Sequence, residues 1–342
     1  MNNILINEYE SILKILNSDI DKLENKSTLI TGANGLIGSY IVDFLDYLNT
    51  KYNKNIKIYA LSRSINKLKK RFKNTETVKL IEQDLNDILN IDFSCDYIIH
   101  AASNAHPLAF SLEPATTMKT NFIGTINLLE YAKNHNSKFL YISTGEIYGN
   151  NENEPFKETD FGLIDTLSAR ACYPESKRAC ETLCISYKNQ YEIKVNIARL
   201  CYIYGANITE TNSRADAQFL RNAIMKQDIV LKSEGKQKRT YCYVADCTSA
   251  ILTILLKGKS GEAYNVANPD SIVSVKEYAQ NLADIANVKL KFELPDEIEK
   301  RGYSKQEDSI LDSSKLQALG WSAKYDIKEG IEHTYKIKKE ML

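Results

Sequence analysis

A phenol and an ammonium stand four residues apart in the run Tyr173-Pro174-Glu175-Ser176-Lys177. On a helix that spacing puts both on one face, where the cation favours the ionised phenol. A phenol with a pKa near ~10 is a poor base at neutral pH, but one lowered by a neighbouring cation can take a proton from a hydroxyl as hydride leaves. Tyr173 is the candidate general base, and Lys177 the group that lowers its pKa. Upstream, Ser143-Thr144-Gly145-Glu146-Ile147-Tyr148-Gly149 follows the apolar run Phe139 to Ile142, which sets the Thr144 hydroxyl and the Glu146 carboxylate at a strand end. The hydride acceptor is signalled near the N-terminus. In Leu29-Ile30-Thr31-Gly32-Ala33-Asn34-Gly35-Leu36-Ile37-Gly38-Ser39 an apolar strand runs into three glycines spaced three apart and then into a helix. Gly32 permits the tight turn, Gly35 lets backbone approach a pyrophosphate, and Gly38 lets the helix sit close on the strand. The helix N-terminus then faces the phosphates, with Asn34, Leu36 and Ile37 around it, as a dinucleotide cradle requires.

These groups need a scaffold that brings distant segments together. Strands are expected at Thr28-Thr31, Ile56-Leu61, Val78-Glu82, Tyr97-His100, Lys138-Ser143 and Lys194-Arg199, with helical patterns between most of them. Such alternation implies parallel strands joined by helical crossovers, hence an α/β fold with a Rossmann-type doubly wound sheet. After Tyr204-Gly205 the pattern breaks into Thr/Asn-rich sequence, followed by a helix near Asp216-Lys226. The division read from this is an N-terminal helical extension over 1–25, a dinucleotide-binding domain over 26–205, and a smaller mixed C-terminal substrate-binding lobe over 206–342. Part of the last, about 241–258, returns to the main domain. In the extension, Ile12, Leu13, Ile15, Leu16, Ile20 and Leu23 mark an amphipathic helix suited to packing.

The order of glycine cradle, Ser/Thr at a strand end and Tyr-x-x-x-Lys on a helix resembles the extended short-chain dehydrogenase/reductase family, which includes nucleotide-sugar epimerases, dehydratases and decarboxylases. The resemblance runs from about Lys26 to Trp321. It implies that Lys177 also holds the nicotinamide ribose, that Asp84 and Leu85 lie along the adenine, and that Ala101 and Ala102 of His100-Ala101-Ala102-Ser103 form the small-residue turn beneath the cofactor. Dinucleotide-binding folds usually hold the adenine ribose with an acid about 20 residues past the glycines. From Tyr47 to Thr75 there is none, and the second strand ends in Leu61-Ser62-Arg63-Ser64, with Lys67, Lys69, Lys70 and Arg71 beyond. Ser62 and Arg63 suit a 2′-phosphate, so the NAD(P) reading leans toward NADP.

Within that family the chain is most similar to the UDP-glucuronate decarboxylases, the UDP-xylose synthases. The matching stretches are Pro114 to Asn121 with Gly124-Thr125, Arg170-Ala171-Cys172-Tyr173 with Lys177-Arg178 and Glu181 to Cys184, and Gly235 to Arg239 before Tyr243-Val244-Ala245-Asp246. The resemblance brings Glu146 and Arg239 into the site as residues that work on the sugar, with Thr144, Tyr202 and Arg214 among the substrate contacts. Three positions depart from it. Gly145 stands where decarboxylases carry serine, Tyr202 where an asparagine usually touches substrate, and Ala206 where a turn proline is usual.

In all these enzymes the sugar C4 hydroxyl is first oxidised, and the ketone is an electron sink for the second step. A uronic acid then loses carbon dioxide without an acid to protonate a leaving hydroxyl. A 4,6-dehydration needs a base at C5 and usually an acid at C6. Glu146 can be the base, but Gly145 occupies the position where the TDP-glucose dehydratases place an acid, although GDP-mannose dehydratases manage with a non-acidic residue there. Simple 4-epimerases usually lack a glutamate at the position of Glu146. The expected function is therefore oxidation at C4 followed by decarboxylation of a UDP-glucuronate-like nucleotide sugar, with a 4,6-dehydratase or an epimerase as alternatives. An idle dinucleotide-binding sensor or scaffold is the reading from a different class, against which Tyr173, Lys177, Thr144 and Glu146 all stand at working spacing.

Composition bounds the partners. Over 342 residues, 44 basic and 44 acidic side chains balance, which gives no general pull toward nucleic acid or membrane. Seven cysteines without paired spacing read as reduced thiols and bind no metal. No run approaches the ~20 apolar residues of a membrane span, and the first residues form no signal peptide. The expected address is the cytoplasm. The family's habit of pairing through two helices of the dinucleotide domain implies a homodimer.

Overall fold

The computed structural model describes residues 2–341 except 74, 76, 151–154, 211, 298–300 and 302–307. Its strands are β1 Ser27–Thr31, β2 Lys57–Ser62, β3 Val78–Glu82, β4 Tyr97–His100, β5 Lys138–Thr144, β6 Val195–Leu200, β7 Tyr202–Tyr204, β8 Ile229–Leu231, β9 Lys238–Tyr243, β10 Ala263–Val266, β11 Ile272–Ser274 and β12 Leu290–Phe292. Seven of them form one parallel sheet in the order β10-β6-β5-β4-β1-β2-β3. Every residue of β1 and of β6 is buried, as expected of strands covered on both faces. From β1 the chain moves outward to β2 and β3, then returns to place β4 on the other side of β1. That reversal opens a crevice at the carboxyl ends of the strands, where ligands of doubly wound sheets bind.

The helices are α1 Asn3–Leu16, α2 Leu36–Tyr52, α3 Ile65–Arg71, α4 Pro107–Leu112, α5 Pro114–His135, α6 Cys172–Tyr191, α7 Ala215–Ile224, α8 Val244–Lys257 and α9 Val275–Ala286, and a further helix spans Ile327–Glu340 near the C-terminus. Beyond β6, small sheets with the orders β11-β9-β7 and β12-β8 build a mixed second layer. The six strands expected from sequence are present with ends shifted by at most one residue. The seventh, β10, is four residues long, gave no periodic signal and lies beyond the returning segment expected at 241–258; α8 leads the chain back to it, packed on α1, α2, β6 and β10.

Helix α1 buries Ile12 and Leu16 of the stripe legible in the sequence, and Tyr9 beside them. Beside that stripe sits a group with no sequence signal. Glu8 is fully buried and accepts from Tyr40 Oη at 2.6 Å and Tyr243 Oη at 2.8 Å, with His333 Nδ1 at 2.8 Å. A carboxylate withdrawn from water is tolerable only with such partners. These three come from α2, β9 and the helix Ile327–Glu340, so one side chain ties the N-terminal extension to both layers. Among the described residues no helix is long and apolar enough to cross a membrane, and all seven cysteines are free thiols.

Candidate active site

The glycine turn after β1 is shaped by contacts no other residue permits. Gly32 has φ +64°, and a Cβ there would meet Ala101 O at 2.8 Å and Ala102 Cα at 2.9 Å. A Cβ at Gly38 would meet Gly32 O at 2.5 Å. The Gly35 amide donates to Gly32 O at 2.9 Å, and Gly35 caps α2 without any side-chain hydrogen bond. The first N–H groups of α2, around half-buried Asn34, Leu36 and Ile37, are thus left for a ligand. Across the crevice, Ala102 N donates to Thr31 Oγ1 at 3.2 Å, and His100 lies between Thr31 Oγ1 at 2.9 Å and Thr125 Oγ1 at 3.2 Å. Burial lowers the His100 pKa to about 3, so the imidazole stays neutral and acts as a fixed spacer under Ala101 and Ala102. This cradle fits the pyrophosphate and nicotinamide end of a dinucleotide.

At the adenosine end, Ser62 is buried at the tip of β2, and its Oγ accepts from Ser64 N at 3.4 Å. Arg63 is exposed and reaches Asn104 Oδ1 at 3.5 Å. A carboxylate does stand here, supplied by another strand. Glu82 pairs in register with Ser62 across β2 and β3, and its Oε1 accepts from Ile65 N at 2.9 Å. The acid-free stretch from Tyr47 to Thr75 hid it, because strand pairing and not chain proximity delivers it. Asp84 Oδ1 closes a turn by accepting from Asn86 N at 2.9 Å, and Leu85 packs under Gly124, where a Cβ would meet its own at 3.1 Å.

At the other end of the crevice α6 begins with Cys172 and places Tyr173 and Lys177 on its buried face. Lys177 Nζ donates to Ile142 O at 2.8 Å and lies 4.7 Å from the Tyr141 ring centroid and 5.9 Å from that of Tyr173. Burial lowers Lys177 to about 8. Burial also holds the Tyr173 phenol above its usual range, aided by the Glu146 charge. The groups that oppose the rise are the Thr144 hydroxyl beside the phenol and the Arg214 and Arg170 guanidiniums. The expected depression by Lys177 is therefore not what this geometry gives. The ammonium is engaged by a strand carbonyl, and desolvation of the phenol outweighs the cations around it.

Glu146 lies in the short turn Gly145–Tyr148, opened by Thr144 Oγ1 accepting from Glu146 N at 3.2 Å. Arg170, just before α6, donates through Nη2 to Glu146 Oε2 at 2.6 Å. Its guanidinium sits 4.6 Å from the Phe110 ring centroid, and Phe110 on α4 stacks on Tyr173 at 4.7 Å and 25°. Carboxylate, guanidinium, phenyl and phenol thus form one column. Behind it, Glu181 accepts from Arg199 Nη2 at 2.8 Å and from Ser143 Oγ, which locks the end of β5 to α6. A Cβ at Gly145 would come within 3.0 Å of Leu311 Cδ1, so a serine there needs the Leu311 side chain to shift. Arg239 on β9 is 8% exposed, and its Nη1 finds no hydrogen-bond acceptor. Its Cζ stands 4.8 Å from the Tyr202 ring centroid, and that of Arg214 stands 6.0 Å from it.

Residues 28–267 match the NAD dependent epimerase/dehydratase family. The chain belongs to that family. It is therefore an NAD(P)-dependent enzyme of the nucleotide-sugar epimerase, dehydratase and decarboxylase group. Among its relatives, UDP-glucuronic acid decarboxylase 5 of Arabidopsis thaliana is 31% identical over 314 residues, covering 90% of this chain and 87% of the relative. UDP-glucuronic acid decarboxylase 3 of the same plant is 30% identical over 307 residues with the same coverage. The fold is shared with a UDP-glucose 4-epimerase of Thermus thermophilus solved with NAD, at TM-score 0.79 and 23% identity over 92% of this chain and 100% of that one. It is also shared with a dTDP-glucose 4,6-dehydratase of Bacillus anthracis, at TM-score 0.74 and 21% identity over 92% and 98%.

For this member of the epimerase/dehydratase family, the structure brings Thr144, Glu146, Tyr173, Lys177, Tyr202, Arg214 and Arg239 to the same end of the crevice. Four participants were not singled out from sequence. Arg170 lay within a motif match and carried no assigned role. Phe110 and Leu311 are apolar residues in segments without chemistry of their own, and Glu82 belongs to a neighbouring strand.

Proposed function

We propose that this enzyme oxidises the C4 hydroxyl of a UDP-glucuronate-like nucleotide sugar and decarboxylates the resulting 4-keto acid. The reading rests on Glu146, whose charge bears on the Tyr173 phenol, having beside it a glycine packed against Leu311 where the TDP-glucose dehydratases place an acid. The two plant decarboxylases named above favour the same outcome.

When bound, the dinucleotide supplies the hydride acceptor and, oxidised, a positive charge at the nicotinamide. Tyr173, with the Thr144 hydroxyl beside it, receives the proton of the C4 hydroxyl as that carbon loses hydride. The C6 carboxylate is then β to a ketone. The C5–C6 bond breaks, its electron pair moves into the C4 enolate, and carbon dioxide leaves. Tyr173, now carrying the proton it received, hydrogen-bonds to the enolate oxygen and keeps that proton. Glu146, fixed by Arg170, relays a proton from water to C5. Return of hydride to C4, with the Tyr173 proton passing to the C4 oxygen, closes the cycle, whereas release of the ketone leaves the cofactor reduced. Mass spectrometry after incubation with a panel of sugar nucleotides tests this. Loss of carbon dioxide from UDP-glucuronate is expected, whereas loss of water or an unchanged mass with another sugar would replace it by dehydration or epimerisation.

For the cofactor, Ser62 and Arg63 favour NADP, and the Glu82 carboxylate beside them works against a second phosphate. Arg63→Ala should weaken NADP binding by about 1–3 kcal/mol, the scale of a charge-assisted hydrogen bond, and hardly change NAD binding. Fluorescence titration with both cofactors measures this, and equal losses for the two would refute the assignment. Helix α5 leaves Met118 and Phe122 exposed at 44% and 40%, which supports pairing into a homodimer through this face. Light scattering should then find a dimer mass for the native chain and a monomer mass for Phe122→Asp, and a native monomer would refute the pairing.

A further inference from the structure

Arg239 carries a cost that the protein alone does not offset. It is mostly buried, has no carboxylate partner among the described residues, and leaves Nη1 without an acceptor. A guanidinium withdrawn from water in this way is expensive unless something compensates it. Arg214, at the start of α7, places Nε 3.1 Å from Asp216 Oδ1 and also leaves a buried nitrogen, Nη2, without an acceptor. What the two share is Tyr202. In the parallel pairing of β7 with β9, Tyr202 lies opposite Tyr241, and Arg239 is two residues before Tyr241 on the same face. The Arg239 guanidinium therefore falls over the ring of the adjacent strand at 4.8 Å, with that of Arg214 at 6.0 Å from the same ring. Both distances are within the ~6 Å reach over which an aromatic ring attracts a cation.

We propose that Tyr202 is a positioning residue whose ring holds both guanidiniums in the unliganded enzyme, with their free Nη donors set for the two phosphates of a nucleoside diphosphate. The inference rests on the nucleotide-sugar reading above and deepens it. A single carboxylate would satisfy one arginine, and Glu146 already has Arg170. Two cations, each with a spare donor, match two linked anions. The ring acts by fixing the arginines before the ligand arrives, so its removal loosens the donors without touching the ligand.

The test is the affinity for UDP alone, measured by calorimetry, with dinucleotide binding as the check on folding. Tyr202→Asn should raise the UDP Kd roughly 3- to 30-fold, the span of one cation–π contact, and Tyr202→Phe, which keeps the ring, should restore the affinity. In turnover, Tyr202→Asn should raise KM more than it lowers kcat. In an Arg239→Ala background the effect of Tyr202→Asn should shrink, because the ring acts through the arginine. Undiminished loss in that background would mean that Tyr202 touches the ligand directly, and equal loss in Tyr202→Phe would mean that the hydroxyl acts; either overturns the proposal. UDP binding with the expected pattern but no loss of carbon dioxide would sink only the decarboxylase reading. Absence of UDP binding to the native chain at millimolar concentration would sink both.

Discussion

Tyr173→Phe is expected to keep the fold and the cofactor affinity and to lower turnover by roughly two to four powers of ten, the span lost with a positioned acid–base group. The phenyl ring can still stack on Phe110, so the column that packs α4 against α6 survives. What disappears is the oxygen surrounded by Thr144, Glu146, Arg170 and Arg214. Rapid-mixing absorbance near ~340 nm reads the first hydride transfer directly, since that signal belongs to the reduced nicotinamide. Near-normal turnover would sink the assignment and pass the proton to another group.

The state of that phenol is the main physical surprise of the site. Sequence spacing suggested a cation-lowered base, yet Tyr173 sits above its ordinary range and Lys177 falls to about 8. Below that value Lys177 is charged while Tyr173 keeps its proton. In the unliganded protein the pair is thus set to donate a hydrogen bond to a developing enolate oxygen. Base function in the opposite direction needs further positive charge near the phenol, and the oxidised nicotinamide brings one when bound. A period-four spacing identifies the pair; it cannot report desolvation, which depends on Phe110 and the surrounding burial.

The same contrast runs through the molecule. The glycine trio and the apolar strand runs were legible because backbone demands and two-sided burial write directly into residue type, as Gly32 and Gly38 show by the backbone atoms they face. The first six strands followed from that. The strand β10 did not, since four residues inserted beside β6 gain their order from the neighbour. In the candidate site, the residues proposed to do chemistry stand out by type, and residues that act by contact do not. Glu82 reaches Ser62 through strand register, Leu311 fills the gap at Gly145 from the far end of the chain, and Glu8 finds its three partners across more than 300 residues of sequence in the case of His333. Each is a pairing of separated segments, which a local pattern does not encode.

Glu146→Gln separates the chemistry after oxidation from oxidation itself. Tyr173, Thr144 and Lys177 remain in this variant, so hydride should still leave C4. The neutral amide can still accept a hydrogen bond from Arg170, which preserves the column over Phe110, but it cannot relay a proton to C5. Turnover should therefore stall after the first half-reaction, with absorbance near ~340 nm rising toward one reduced cofactor per site and persisting, whereas the native enzyme returns the hydride and shows less steady signal. Arg170→Lys is the companion variant, because it keeps a cation for Glu146 while losing the planar group stacked on Phe110. If Glu146→Gln turns over normally, the carboxylate is structural. If it binds substrate well yet never reduces its cofactor, Glu146 belongs to the oxidation step, and both decarboxylation and dehydration lose the residue on which they depend here.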